Sequence, residues 1–230
     1  MSDYFYEPSK GHGLPHNPFK AIVSPRPIGW ISTRAGSGDN LAPYSFFNAL
    51  ADDPPQVMFA GNLKDSIANL RESGVFAVNV VEEAMLGAMS ATSASLPRGV
   101  DEFAHAGVAK AECSTIDCPR VANAPATLEC RMRQIITLQG PDNVMVIGEV
   151  TGIHIRDDCV VNGRFDVTRF GITARLGYRD YAVIRTLRGE PTVGTLHTTN
   201  GRWDIVAEVR AESLEAFDAA LGRIRLTPGI

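Results

Sequence analysis

A mainly β protein, folded around a closed or partly closed antiparallel barrel, is what these 230 residues predict, and three features of the sequence predict it. The β-compatible runs are short and are separated by turns rich in Gly, Pro and Asp. Helical spacing surfaces only in a few brief stretches. Two longer runs, Ala126–Leu138 and Val144–Ile155, partly alternate apolar and polar residues around QGPDN, as a solvent-edged antiparallel hairpin does. Many short strands with few helices favour a barrel over a sheet of βαβ units.

Residues 1–20 carry Gly, Pro and aromatic residues without periodicity, the composition of an arm that packs on something else. AIVSPRPIGWISTR, the reversal AGSGDN and LAPYSFFNAL then read as a hairpin. Pro54-Pro55 breaks the chain before QVMFAGN, a short buried strand. Asp65 is a good N-cap, Ile67 and Leu70 follow at helical spacing, and Gly74 suits the C′ position, so Lys64 stands at the entrance of a short helix. VFAVNVV is a strand interrupted only by Asn79, and EEAMLGAMSAT is a second helix with its acids at the positive end. SASLPRGVDEFAHAG reads as loop, and RDDCVVNGRFD closes the β portion. Beyond Tyr181 the character changes. TLRGEPTVGTLHTTNGRW reads as a linker, DIVAEVRA as a strand, and SLEAFDAALGRIRL as an amphipathic helix capped by Ser213. The expected organisation is therefore a domain over residues 1–185 and a strand-helix extension over 186–230.

An apolar content of 44% is enough for a substantial core without covalent staples. Twenty-two basic against 26 acidic residues give a net charge of -4 with no basic block, which argues against a nucleic-acid face or an anionic-membrane patch. The mostly apolar run Val75–Val81 is far shorter than the roughly 20 residues a bilayer needs, and the start MSDYFYEPSKGHG lacks the pattern of a signal peptide, so a cytoplasmic protein is expected. Cys113, Cys118, Cys130 and Cys159 match no redox or zinc spacing and are expected to be reduced and mostly structural.

Three segments are able to carry chemistry. Around Asn62, Lys64, Asp65 and Ser66, a helix start offers free N–H groups and a partial positive charge to which Lys64 adds a full one, a suitable place for a phosphate. An ordinary capped surface helix has the same residues. Ser45, Phe46, Phe47 and Asn48 combine apolar wall with polar groups, as a flat amphipathic ring system requires; core packing is the alternative for the two phenylalanines. Arg26, between Pro25 and Pro27, presents a guanidinium on stiff backbone, for phosphate or carboxylate or simply at the surface. The loop Pro97–Phe103, with Arg98, is either a lid or a connection. HExxH, GxxxxGK[ST] and GxSxG are absent, the histidines do not cluster as a metal clip, and the carboxylate pairs Asp52-Asp53 and Asp157-Asp158 sit in turn-like sequence, so no metal site and no catalytic acid or base is nominated.

Taken in order, SPRPIGWIST, LAPYSFFNALADDPPQVMF, NLKDSIANLRESGVFAVNVV, PRGVDEF with its downstream AG, and RLGYRDYAVI resemble the flavin reductase-like family, flavoredoxins included, over roughly residues 15–185. The resemblance implies an FMN-binding split β-barrel that works as a homodimer, with FMN near the subunit interface and FAD as the alternative flavin. It places Ser45, Phe46, Phe47 and Asn48 at the isoalloxazine and Asn62, Lys64, Asp65 and Ser66 toward the phosphate, with Arg26 and Arg98 as neighbours. Relatives carry an RLGG-like turn where this chain has Arg175-Leu176-Gly177-Tyr178, a departure that bears on substrate access. The implied activity is hydride transfer from NADH or NADPH to flavin, with free flavin, a partner oxygenase or another acceptor downstream. An FMN-binding electron carrier or sensor without nicotinamide turnover is the alternative. The tail, GRWDIVAEVRAESLEAFDAALGRIRLTPGI, is similar to half of the effector-binding domain of Lrp/AsnC-type regulators, and a docking or dimer-stabilising role is expected of it.

Overall fold

The computed structural model describes residues 3–184, 193–198, 205–209, 213 and 215–219. The chain divides into two compact units, Met1–Ile184 and Arg185–Ile230. In the first, a short helix α1 (Phe19–Ile22) leads into β1 (Arg26–Pro27), β2 (Gly29–Ala35), β3 (Gly38–Tyr44), β4 (Phe46–Asp52) and β5 (Pro55–Asn62). Helix α2 (Asp65–Ser73) and β6 (Val75–Asn79) follow, then α3 (Leu86–Ala91), α4 (Glu102–His105), β7 (Lys110–Glu112) and β8 (Pro119–Val121). The long hairpin β9 (Ala126–Thr137) and β10 (Asn143–Ile155), the small pair β11 (Val160–Val161) and β12 (Arg164–Phe165), and β13 (Ile172–Arg175) with β14 (Tyr181–Ile184) complete the unit.

Seven strands form one antiparallel sheet in the order β3-β2-β6-β9-β10-β5-β4. Its two outermost strands, β3 and β4, are consecutive in the chain and are separated by Ser45 alone. Neighbouring Cα atoms lie only about 3.8 Å apart, so the two edges must meet and the sheet must curl into a barrel. The barrel is split at that corner, because no ladder joins β3 to β4 among the described residues. The sequence reads LAPYSFFNAL as one run, whereas the bend at Ser45 sends its first half to β2 and its second half to β5.

Alternation along β2 separates two cores. Ile31 packs with Phe59, Phe76, Cys130, Val146 and the α2 residues Ile67 and Leu70, while its neighbour Trp30 packs with Leu41, Met89, Phe103 and Val121. Backbone and side chain approach closely where Gly148 faces Phe76, since a Cβ there would lie 2.4 Å from the ring. The polar interruption Asn79 is buried and fully used: its Nδ2 donates to the Trp30 carbonyl (2.9 Å) and Ser32 Oγ (3.1 Å), and its Oδ1 accepts from the Val121 N–H (2.9 Å) and Thr127 Oγ1 (3.0 Å).

Several local expectations change. Lys64, not Asp65, is the N-cap of α2, with extended backbone and no capping side-chain bond, and Asp65 is the first helical residue. Gly74 closes the helix in the left-handed region at φ 71°, its N–H bonding the Leu70 carbonyl at 2.8 Å. The segment read as loop, SASLPRGVDEFAHAG, contains α4, capped by Asp101 through the N–H groups of Phe103 and Ala104. All four cysteines are free thiols. Among the described residues no helix is long and apolar enough to cross a membrane.

The second unit holds the antiparallel pair β15 (Val193–Thr198) and β16 (Ile205–Val209) and a helical turn over 215–219. β16 lies within the strand expected at DIVAEVRA, but β15 lies within the segment read as a linker. Ser213 caps the helical turn, its Oγ accepting the Ala216 N–H at 3.1 Å. The remainder of that expected helix lies outside the described residues.

Candidate functional site

The split corner opens one wall of a cavity of about 480 Å³, within the roughly 300–1,000 Å³ of small-molecule sites. Ser45 and Phe46 reach it from the bend, Asn62 from the end of β5, and Lys64, Asp65 and Ser66 from the start of α2. Six of the residues nominated from sequence are thus brought together. Four are not. Phe47 turns into the barrel and packs against the core, because successive strand residues face opposite ways. Asn48 is exposed, its Oδ1 accepting the Ala49 N–H at 2.9 Å. Arg98 stands half-exposed beside the cavity, 3.5 Å from the Asp65 carboxylate. Arg26 lines a second cavity of about 250 Å³, which shares Lys20, Pro43, Ser45 and Ser93 with the first.

Polar groups at the back of the first cavity form a connected set. Ser66 Oγ donates to Asn40 Oδ1 at 2.6 Å, and Asn40 Nδ2 donates to Glu102 Oε1 at 2.9 Å. Glu102 Oε2 accepts the Leu41 N–H at 3.2 Å, and the Tyr44 hydroxyl is also a partner of Ser66. Burial pushes both the Glu102 carboxyl and the Tyr44 phenol up from their ordinary values. The start of α2 has the opposite character. The Ala68 N–H bonds the Lys64 carbonyl at 3.0 Å, and the N-cap makes no side-chain capping bond. The leading N–H groups and the exposed Lys64 therefore converge where an anion would gain both hydrogen bonds and charge. Gly61 completes this wall, since a Cβ there would lie 2.6 Å from the Tyr44 ring.

An elongated ligand with a flat amphipathic end and an anionic end suits this arrangement: apolar surface at Phe46 and Tyr44, and an anion-receptive helix start at Lys64. The chain segment 92–96, with Thr92, Ser93 and Ser95, also lines the cavity and was not nominated from sequence, nor were Lys20 and Asn40. The small polar run ATSASL was the available signal for the first of these.

Comparison with known proteins decides the family. The model of the flavin reductase like domain matches residues 23–168, more than half of the chain. The chain belongs to the flavin reductase-like family. An uncharacterized protein of Deinococcus radiodurans is 38% identical over 174 residues, 69% of this chain and 75% of its own. Pseudomonas fluorescens 2-nitrobenzoate 2-nitroreductase NbaA superposes with a TM-score of 0.68 at 31% identity, covering 80% of this chain and 92% of that one. Nitrilotriacetate monooxygenase component B of Bacillus cereus superposes at 0.75 with 26% identity, covering 81% and 98%. A more distant structure described as having a split barrel domain shares the fold, at 20% identity and a TM-score of 0.67. The resemblance carried by the ordered motifs, and the mainly β split barrel it implies, are thereby established.

Proposed function

We propose that this protein is an FMN-binding oxidoreductase that transfers hydride from NADH or NADPH to flavin. The observation that carries the reading is the convergence, in one cavity, of the Ser45–Phe46 corner and the uncapped start of α2 with Lys64. When bound, FMN would supply the redox chemistry, while the protein binds, orients and tunes the ring through hydrogen bonds. Phe46 and Tyr44 would flank the ring, Ser45 would hydrogen-bond its edge, and Lys64 with the α2 N–H groups would hold the phosphate. Free flavin or a partner oxygenase would accept the electrons, as the name of the Bacillus cereus neighbour, a monooxygenase component, suggests.

A homodimer goes with this reading. β4 is exposed along most of its length, with Phe46 at 38% and Leu50 at 50%, a face that a second subunit would cover. Residues 1–185 would form the flavin domain and 186–230 an added docking or dimer-stabilising element. The four free thiols suit a reducing, cytoplasmic setting.

The absorbance spectrum of protein loaded with FMN and freed of excess, followed by additions of NADH and NADPH, tests the proposal. Bound flavin with nicotinamide oxidation in the presence of excess flavin and oxygen is expected. Tight flavin and photoreduction without nicotinamide turnover would make the protein an electron carrier instead. Lys64→Ala should weaken FMN binding by on the order of 1 kcal/mol or more, about fivefold, in a flavin fluorescence titration. Unchanged affinity would remove the phosphate from this helix start.

A further inference from the structure

We infer that the second cavity is a substrate-side subsite for an aromatic carboxylate. Three cations line it, Lys20, Arg26 and Arg175, and among the described residues no acidic side chain does. Arg26 is 5% exposed, and among the described residues its guanidinium reaches only neutral acceptors: Nη1 donates to the Lys20 and Val23 carbonyls and Nη2 to the Leu176 carbonyl at 2.7 Å. Its Nε is buried without a hydrogen-bond partner among the described residues. Arg175 sits directly opposite Arg26 in the β1–β13 register, a like-charge pairing that destabilises a sheet unless an anion relieves it. Among the described residues neither arginine, nor Lys20, has a carboxylate partner.

The rest of the wall names the ligand's body. Ile28 and Met89 are buried apolar surface, and Tyr181, with the Arg175 guanidinium 4.3 Å from its ring centroid, and Tyr178 add flat aromatic faces. At about 250 Å³ the cavity falls below the usual range for drug-sized ligands and suits a single ring rather than a dinucleotide. A guanidinium matches a planar carboxylate in two parallel hydrogen bonds, which a ring bearing that group on its edge would present. Because this cavity shares Ser45 and Ser93 with the first, a bound ring would lie beside the group held there; its role as substrate rests on the proposed flavin function, whereas its binding does not.

Titration calorimetry of the full-length protein with sodium benzoate, in a buffer of low anion content, tests the inference with and without FMN. One benzoate per chain is expected, with benzamide at least about tenfold weaker and inorganic phosphate weaker than benzoate. Arg175→Gln, at a partly exposed position, should weaken benzoate at least about tenfold while the variant still unfolds cooperatively. Equal binding of benzoate and benzamide would overturn the subsite, as would the absence of benzoate binding. Phosphate binding that benzoate does not displace would overturn the aromatic class, and competition between benzoate and FMN would overturn the location. Benzoate binding by protein that fails to take up FMN would sustain the subsite while refuting the flavin function.

Discussion

Glu129 on β9 and Arg26 on β1 are both charged side chains taken out of water, and their surroundings differ in kind. The fully buried Glu129 carboxylate accepts the N–H groups of Ser114 and Thr115, each at 2.6 Å, the Thr115 hydroxyl at 2.6 Å, and a hydrogen bond shared with His154 Nε2. Arg26 meets three neutral carbonyls and the like charge of Arg175, and keeps one nitrogen unpartnered. Ionisation responds accordingly. Burial alone would push Glu129 up, but the bonds from Thr115, Ser114 and His154 overcome it and hold the carboxyl at about 2. Burial and then the Arg175 charge push Arg26 down. A charge whose partners are all built into the chain ties elements together; one without a counter-charge among the described residues is open to an anion from outside.

The largest effect that sharpens this contrast is expected at Glu129. Replacing it with Ala strands the N–H groups of Ser114 and Thr115, and should cost about 3 kcal/mol or more of stability. Urea unfolding followed through the fully buried Trp30 measures it. A cost below about 1 kcal/mol would make the cluster ornamental rather than structural.

Acid should reveal the same charge with a slightly smaller amplitude. The unfolded Glu129 titrates near 4.3 and the folded one at about 2, so between these values the unfolded chain binds the extra proton. The stabilisation is therefore complete above about pH 5 and is lost as pH falls toward 2, on the order of 3 kcal/mol in all. In a Glu129→Gln variant this component of the acid dependence should vanish. An identical slope in the wild type and the variant would assign the acid sensitivity to other carboxylates.

The two charges also differ in how far the sequence announces them. The β9–β10 hairpin follows from partial alternation, the strand at 75–79 from a short apolar run and the Gly74 cap from glycine chemistry, all of which act over a few residues. The ordered motifs around Lys64 and Ser45 pointed to Ser45, Phe46, Asn62, Lys64, Asp65 and Ser66 among the residues lining the first cavity, through their resemblance to a family and not through local pattern. What stayed hidden depends on closure. The bend at Ser45 carries no glycine, and β2 is buried on both faces, so its alternation separates two cores instead of core from solvent. Nothing local distinguishes Phe46, facing the cavity, from Phe47, facing the barrel. The opposition of Arg26 and Arg175 joins residues about 150 positions apart, and only the β1–β13 register creates it.

The smallest stability effect is expected at Arg26, and it decides whether the comparison holds. Arg26→Met keeps the length and apolar stem of the side chain while removing a charge that has no counterpart among the described residues. Replacing even a buried ion pair with apolar groups of similar volume is often neutral or stabilising, and Arg26 lacks the opposite charge of such a pair among the described residues, so the variant should lie within about 1 kcal/mol of the wild type in anion-free buffer. The difference should appear once the missing partner is supplied. Benzoate at 100 times its dissociation constant would stabilise the wild type by about 2.7 kcal/mol through mass action and leave the variant unmoved, read as a shift in melting temperature. If Arg26→Met instead loses as much stability as Glu129→Ala in the absence of anion, the guanidinium is a strut holding the Lys20, Val23 and Leu176 carbonyls together, and the two buried charges do the same work.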